Sequence, residues 1–257
     1  MKRIRVIPVL LLDNGNLVKT IQFKRPVYIG DPINAVRIFN EKRVDELILL
    51  DISLNRAESR GQSGQLAEIA SEAFMPVAFG GGINTLGQVE RILKLGVEKV
   101  VINTAAVENP QLITEIARRF GSQSVVASID ARPRRFGSYR VFTNGGDRSI
   151  ALDPVSFARR LADAGSGEIL ITSITHEGTS RGYDLKLVRS VADAVTIPVI
   201  ANGGASSVAD FAAAVRTGHA AAVAASSMFL FQGKHRAVLI SFPEEALLQD
   251  ELYSIRD

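Results

Sequence analysis

The 257-residue chain has no cysteine and no tryptophan, and aromatic residues make up only 6% of it. Without thiols there is no disulfide, no cysteine nucleophile and no thiolate metal site. Net charge is small as well: 30 basic residues against 27 acidic ones give +3. The cations are interspersed with anions, so no continuous basic face is offered to a nucleic acid. Long apolar runs are missing too. The first run, in MKRIRVIPVLLL, is too short to span a bilayer, so no membrane segment is expected and the chain reads as a cytoplasmic protein. His176, His219 and His235 have no carboxylate or histidine partner at metal-ligand spacing, and the "HE" pair at His176 does not extend to a zinc motif. Neither a metal nor another cofactor is expected.

What the chain does have is 46% apolar content distributed in short β-branched runs: IRVIPVLLL, ELILLDI, PVAFGGG, KVVINT, SVVASID, EILITSI, PVIANGG and AAVAAS. Amphipathic segments such as DPINAVRIFNEKRV and TLGQVERILKLGV separate them. Eight such alternations read as βα units around a parallel sheet buried on both faces, hence a single α/β domain over 1–257, a (β/α)8 TIM barrel. A shift of 122 positions carries Asp31-Pro32 onto Asp153-Pro154, Glu46 onto Glu168, Pro76 onto Pro198, Gly81-Gly82 onto Gly203-Gly204 and Gly96 onto Gly218. This repeat predicts two half-barrels, about 1–121 and 122–257, with equivalent loops on one rim.

The repeat also suggests a ligand. Gly80-Gly81-Gly82 with Asn103-Thr104, and Gly203-Gly204 with Ser226-Ser227, come after matching strands. Glycines admit a ligand to the backbone, and N–H groups with a hydroxyl hold a phosphate dianion. Two phosphate sites are expected, against the plainer reading that the glycines only make tight turns. Asp51, Asp130 and Glu177 fall at or just past strand ends, where barrel chemistry resides, and Asp130 is the leading acid/base candidate. The stretch RPRRFGSYR carries four arginines at 132–140. It reads as a solvated loop, or less often as an anion lid.

These residues resemble the cyclase subunit of imidazole glycerol phosphate synthase, HisF, over nearly the whole chain. The resemblance runs through GDPINAVRIFNEKRVDELILLDI, FGGGI, KVVINTAAVENPQLITEIARRFGSQSVVASIDAR, GEILITSITHEGTSRGYDLKL and NGGASS. The sister isomerase shares the half-barrel repeat, but NLVKTIQF in the first loop looks like the cyclase pattern. The resemblance implies that Gly82, Asn103 and Thr104 line one phosphate site, and Glu177, Gly178, Gly204, Ala225 and Ser226 the other. Lys19 corresponds to the lysine of the mobile first loop, and Glu177 stands where the family usually has aspartate. Of two aspartates that share the acid/base work in the cyclase, Asp130 matches one, while Leu11 occupies the place of the other. Asp13 lies two residues on, about 6 to 7 Å farther along an extended strand. Losing a positioned acid or base costs about 100- to 10,000-fold in rate, so cyclase activity is expected to be poor.

Arg5, Glu46, Lys99 and Glu168 match the family's ring of charges around the ammonia entrance, where a HisH-like glutaminase docks. As surface charges they would contribute little to stability. A barrel that keeps this entrance and the phosphate sites but has lost one aspartate is similar to HisF-like proteins of the WbuZ type. FQGKHRAVLISFP is typical of that branch. Its members are associated with glycosyl amidation in surface polysaccharide (lipopolysaccharide) synthesis, with a sugar amidotransferase as further partner. The alternative is a cyclase of histidine biosynthesis that tolerates Leu11.

Overall fold

The apolar runs form eight parallel strands: β1 (Arg5–Asp13), β2 (Leu47–Asp51), β3 (Val77–Gly80), β4 (Lys99–Ile102), β5 (Val125–Pro133), β6 (Glu168–Ser173), β7 (Val199–Asn202) and β8 (Ala222–Ala225). Each pairs with its sequence neighbour, and β1 pairs in parallel with β8, which closes the sheet into a (β/α)8 barrel. The computed structural model describes residues 3–53, 63–233 and 235–255, so the extreme ends of the 1–257 domain lie outside the described residues. No helix among the described residues is long and apolar enough to cross a membrane.

Helix starts are written locally. Asp31 and Asp153 each cap a helix, accepting from the N–H three residues on, with proline in the first turn behind them. Thr85 and Ser207 each close a capping box with the residue three further on. Both pairs are 122 positions apart, the spacing of the sequence repeat.

Residue parity on the strands separates two apolar layers. Val6, Leu10, Leu12, Leu47 and Leu49 belong to the large core between strands and helices. The alternate residues Ile7, Val9, Ile48, Ala78, Val101, Val126, Leu170, Ile200, Ala222 and Ala224 pack against one another inside the barrel. This inner plug lies between a ring of charged side chains at the strand starts and a polar cavity at the strand ends.

Three hairpins decorate the barrel, one each after β1, β5 and β8. Asn14 and Gly15 both have positive φ, +48° and +82°, as a two-residue type I′ turn requires. The turn sends the chain from β1 back through the antiparallel pair Asn16–Ile21 and Lys24–Gly30. The segment that the resemblance matches to a mobile first loop forms a hairpin here. The arginine-rich segment also extends a strand, pairing β5 with Tyr139–Thr143. A third hairpin joins Phe231–Gln232 to Ala237–Val238.

Candidate functional site

Strand ends and the first hairpin enclose a cavity of about 590 Å³. Its wall takes in Leu11, Lys19, Asp51, Gly82, Asn103, Thr104, Asp130, Glu177, Gly178, Gly204 and Ser226, so the structure brings together every expected site residue of this rim except Ala225. Ala225 faces the other way: Ala222 and Ala224 point into the barrel, and parity places Ala225 in the outer core.

Asp130 is buried at the end of its strand. Burial pushes its carboxyl up to about 7; hydrogen bonds from Thr172 and Asn103, and the charge of Arg132, work against that rise. Asn103 Nδ2 donates to Asp130 Oδ2 at 3.1 Å and to Ser128 O at 3.0 Å. Its amide therefore orients the carboxyl. Thr172 is itself held by Asn202, whose Nδ2 donates to its hydroxyl at 3.1 Å. An acid near neutrality, buried and oriented, is suited to transferring a proton.

Strand pairing shows what stands opposite. Asp130 pairs with Thr172, and Leu11 pairs with Leu50. Thr172 and Leu50 are 122 positions apart, so Leu11 occupies on β1 the level that Asp130 occupies on β5. Asp13, at the end of β1, also lines the cavity, where its carboxylate accepts from the Asn14 side chain at 2.9 Å. Asp51 accepts from the backbone and the hydroxyl of Ser53, at 2.9 and 2.6 Å.

The first hairpin is tied to the far side of the mouth. Lys19 Nζ donates to Glu177 Oε1, with both side chains buried. Burial brings the Lys19 ammonium down to about 7, and the positive charge of Arg236 acts in the same direction. Gln22 N donates to Glu177 O at 3.0 Å, and Gln22 Nε2 to Thr175 O at 2.9 Å. Phe23, at the hairpin turn, has φ +66°, a left-handed conformation that a bulky residue adopts only under constraint.

The rim glycines have a packing explanation. A Cβ on Gly81 would come within 2.4 Å of Asp51 O, and one on Gly204 within 2.1 Å of Gly182 O. Close approach of loop to loop thus suffices to require them. The pointer to an anion lies elsewhere, in the hydroxyls of Ser226 and Ser227, which are buried without a hydrogen-bond partner. In the first half Thr104 is already occupied, facing Asn144 with its hydroxyl 3.3 Å from Oδ1 and accepting from the backbone N at 3.2 Å.

At the opposite end of the barrel Arg5, Glu46, Lys99 and Glu168 form a closed ring. Arg5 bonds both glutamates; Lys99 reaches Glu46 at 2.9 Å and Glu168 at 3.0 Å. Burial works against the charge on Arg5, but Glu168 and Glu46 outweigh it and raise its pKa. The ring is more enclosed than surface charges would be: side-chain exposure runs from 3% at Glu46 to 20% at Arg5.

A family model described as "Histidine biosynthesis protein" matches residues 5–235. The chain belongs to this family. Among its curated relatives are HisF subunits. One, from Pseudomonas aeruginosa and provisionally named imidazole glycerol phosphate synthase subunit hisF2, is 53% identical over 95% of this chain and 97% of its own length. A Vibrio vulnificus protein, provisionally named hisF3, is 46% identical over 95% of this chain and 94% of its own. The imidazole glycerol phosphate synthase subunit HisF of Streptomyces coelicolor is 42% identical over 89% of this chain and 90% of its own. The chain is therefore a HisF-like subunit of the lyase/synthase type.

Within this HisF-like barrel, sequence reasoning missed Thr172 and Asn202, which continue the polar wall beside Asp130. The signal was present in the alternation of ITSIT and IANGG at the strand ends. It missed Arg236 altogether. None of the four arginines at 132–140 lines the cavity, and Arg132 instead lies 4.7 Å from the Phe142 ring centroid. Two of the three histidines are engaged locally, His176 Nδ1 with Gly182 O at 2.8 Å and His219 with Asp193. No group of metal-ligating side chains occurs among the described residues.

Proposed function

We propose that this HisF-like chain is the ammonia-receiving subunit of a cytoplasmic glutamine amidotransferase system. A HisH-like glutaminase would dock at the charged ring, and the ammonia would be passed on to a sugar amidotransferase that amidates a nucleotide-linked sugar for surface polysaccharide. The observation that carries this reading is Leu11 at the level of Asp130, in a barrel that retains the ring of Arg5, Glu46, Lys99 and Glu168. An imidazole ring closure that needs two facing proton carriers has one here. Ammonia transport needs neither; it needs an entrance, and an interior that disfavours the charged ammonium form. The inner plug, with alanine at 78, 222 and 224, is apolar. A phosphorylated ligand at the second-half rim, with Gly82 and Thr104 as a weaker first-half counterpart, fits the unpartnered hydroxyls of Ser226 and Ser227.

The second reading, a cyclase of histidine biosynthesis, is favoured by one observation: Asp130 remains buried, oriented and near neutrality. The two readings separate in reconstitution with the glutaminase from the same gene neighbourhood, supplied with amide-labelled glutamine. The expected result is a stable complex that transfers label to a sugar amide and forms negligible imidazole product even with ammonium supplied. Lys99→Ala should leave glutamine hydrolysis running but uncoupled from amide formation. Failure to associate with the glutaminase, or robust imidazole formation that depends on Asp130, would overturn the proposal.

A further inference from the structure

Beside the main cavity lies a second one of about 350 Å³, bounded by the third hairpin and by the loop after β8. Ser180, Ser206, Ser227, Gln232, Arg236 and Ser241 contribute its polar lining, and no carboxylate among the described residues lines it. Ser180 and Ser227 also line the main cavity, so the two spaces adjoin along that wall. Ser227 is buried and its Oγ has no hydrogen-bond partner.

Arg236 is the cation of this pocket. It makes no ion pair among the described residues: one guanidinium N–H donates to Gly178 O at 3.4 Å, and the group lies 4.4 Å from the Phe231 ring centroid. Its charge is felt by Lys19 on the main-cavity side, whose own counter-ion, Glu177, is already engaged. The match to the family model ends at residue 235, so Arg236 and the return strand of the hairpin lie outside what the family match covers. A lone guanidinium among hydroxyls, with no competing carboxylate, is the complement of an oxyanion.

The two unpartnered hydroxyls belong to consecutive residues, Ser226 on the main cavity and Ser227 on the wall between the cavities. We propose that the side pocket binds the second phosphoryl group of a diphosphate ester whose first phosphoryl group sits at Ser226 and Gly204, with Arg236 as its counter-ion. This rests on the rim-phosphate reading above and sharpens it: the ligand class is a diphosphate, not a monophosphate.

Calorimetric titration with inorganic phosphate and inorganic pyrophosphate tests it. The wild-type chain should bind pyrophosphate at least tenfold more tightly than phosphate. Arg236→Gln, at an exposed position, should abolish that advantage and leave the melting temperature unchanged. Arg140→Gln, which removes the same charge from the hairpin after β5, should leave the advantage intact. Equal binding of the two anions by the wild type, an advantage that survives Arg236→Gln, or an equal loss in Arg140→Gln would overturn the assignment. If the wild type binds neither anion, the rim-phosphate reading falls first and takes this inference with it.

Discussion

The barrel wall facing the cavity differs between its two halves. At equivalent levels the first half presents Leu11, Leu50 and Gly80, and the second presents Asp130, Thr172 and Asn202. The framework beneath is the same in both: paired aspartate caps, paired capping boxes, and Glu46 matched by Glu168. At this level the matching framework carries proton-handling and polar side chains on one side and aliphatic ones or none on the other. Such a cavity can bind across its full width while reacting from one side, and fold similarity alone would not reveal it.

The comparison can be broken by making the halves alike. Leu11→Asp would restore a second carboxyl opposite Asp130. Ammonia-dependent formation of the imidazole product should rise about 100- to 10,000-fold from its low wild-type level, the usual worth of a positioned acid or base. Unchanged turnover in a folded variant would mean that Leu11 is not what limits the chemistry.

Equalising the halves in the other direction tests the state of Asp130. With its carboxyl raised to about 7 from an ordinary 3.8, the unfolded chain gives up this proton before the folded one does. The stability gained from keeping the acid neutral is complete below about pH 4 and is lost as pH rises through 7. Three pKa units correspond to about 4 kcal/mol. Urea unfolding should therefore show the wild type losing about that much between pH 4 and pH 8, relative to Asp130→Asn. Parallel stability curves for the two proteins would mean that Asp130 is ionised in the folded state.

A smaller difference concerns the rims. Ser226 has a free hydroxyl, whereas the hydroxyl of Thr104 faces Asn144. Ser226→Val should weaken inorganic phosphate binding by roughly 1 to 3 kcal/mol, the cost of leaving a charged oxygen short of a donor, and Thr104→Val by less. Equal losses in calorimetry would show that Thr104 releases Asn144 when ligand arrives.

Much of the architecture was legible in the chain itself. The β-branched runs, the Asp-Pro helix starts and the 122-residue shift fix strands and caps through local chemistry, so short stretches suffice to place the barrel and the level of Asp130. What escaped depends on partners far apart. Lys19 and Glu177 are separated by 158 positions, and nothing near either one announces that they meet. The first hairpin was hidden in the same way, although its Asn14-Gly15 turn was in plain view; the arm beyond it is ordered by docking on Glu177 and Thr175. The outward side chain of Ala225 follows from strand parity, which a resemblance carries over without marking. The arginines at 132–140 read as a solvated loop, with an anion lid as the lesser alternative, because charge alone cannot tell which face of a hairpin it occupies. Arg236 was invisible because its meaning lies in an adjoining cavity.

On the proposed docking of a glutaminase at its end of the barrel, the closed ring of Arg5, Glu46, Lys99 and Glu168 bears on the rate of association. Two positive and two negative groups alternating around a small circle have no net charge, and their field falls off steeply with distance, so the ring itself projects little field into solvent. A protein approaching it is not drawn in from afar, and encounter falls in the unsteered range of about 10⁵ to 10⁶ M⁻¹s⁻¹. Association at this end of the barrel should therefore change little with added salt, and discrimination among partners has to come from how long they stay.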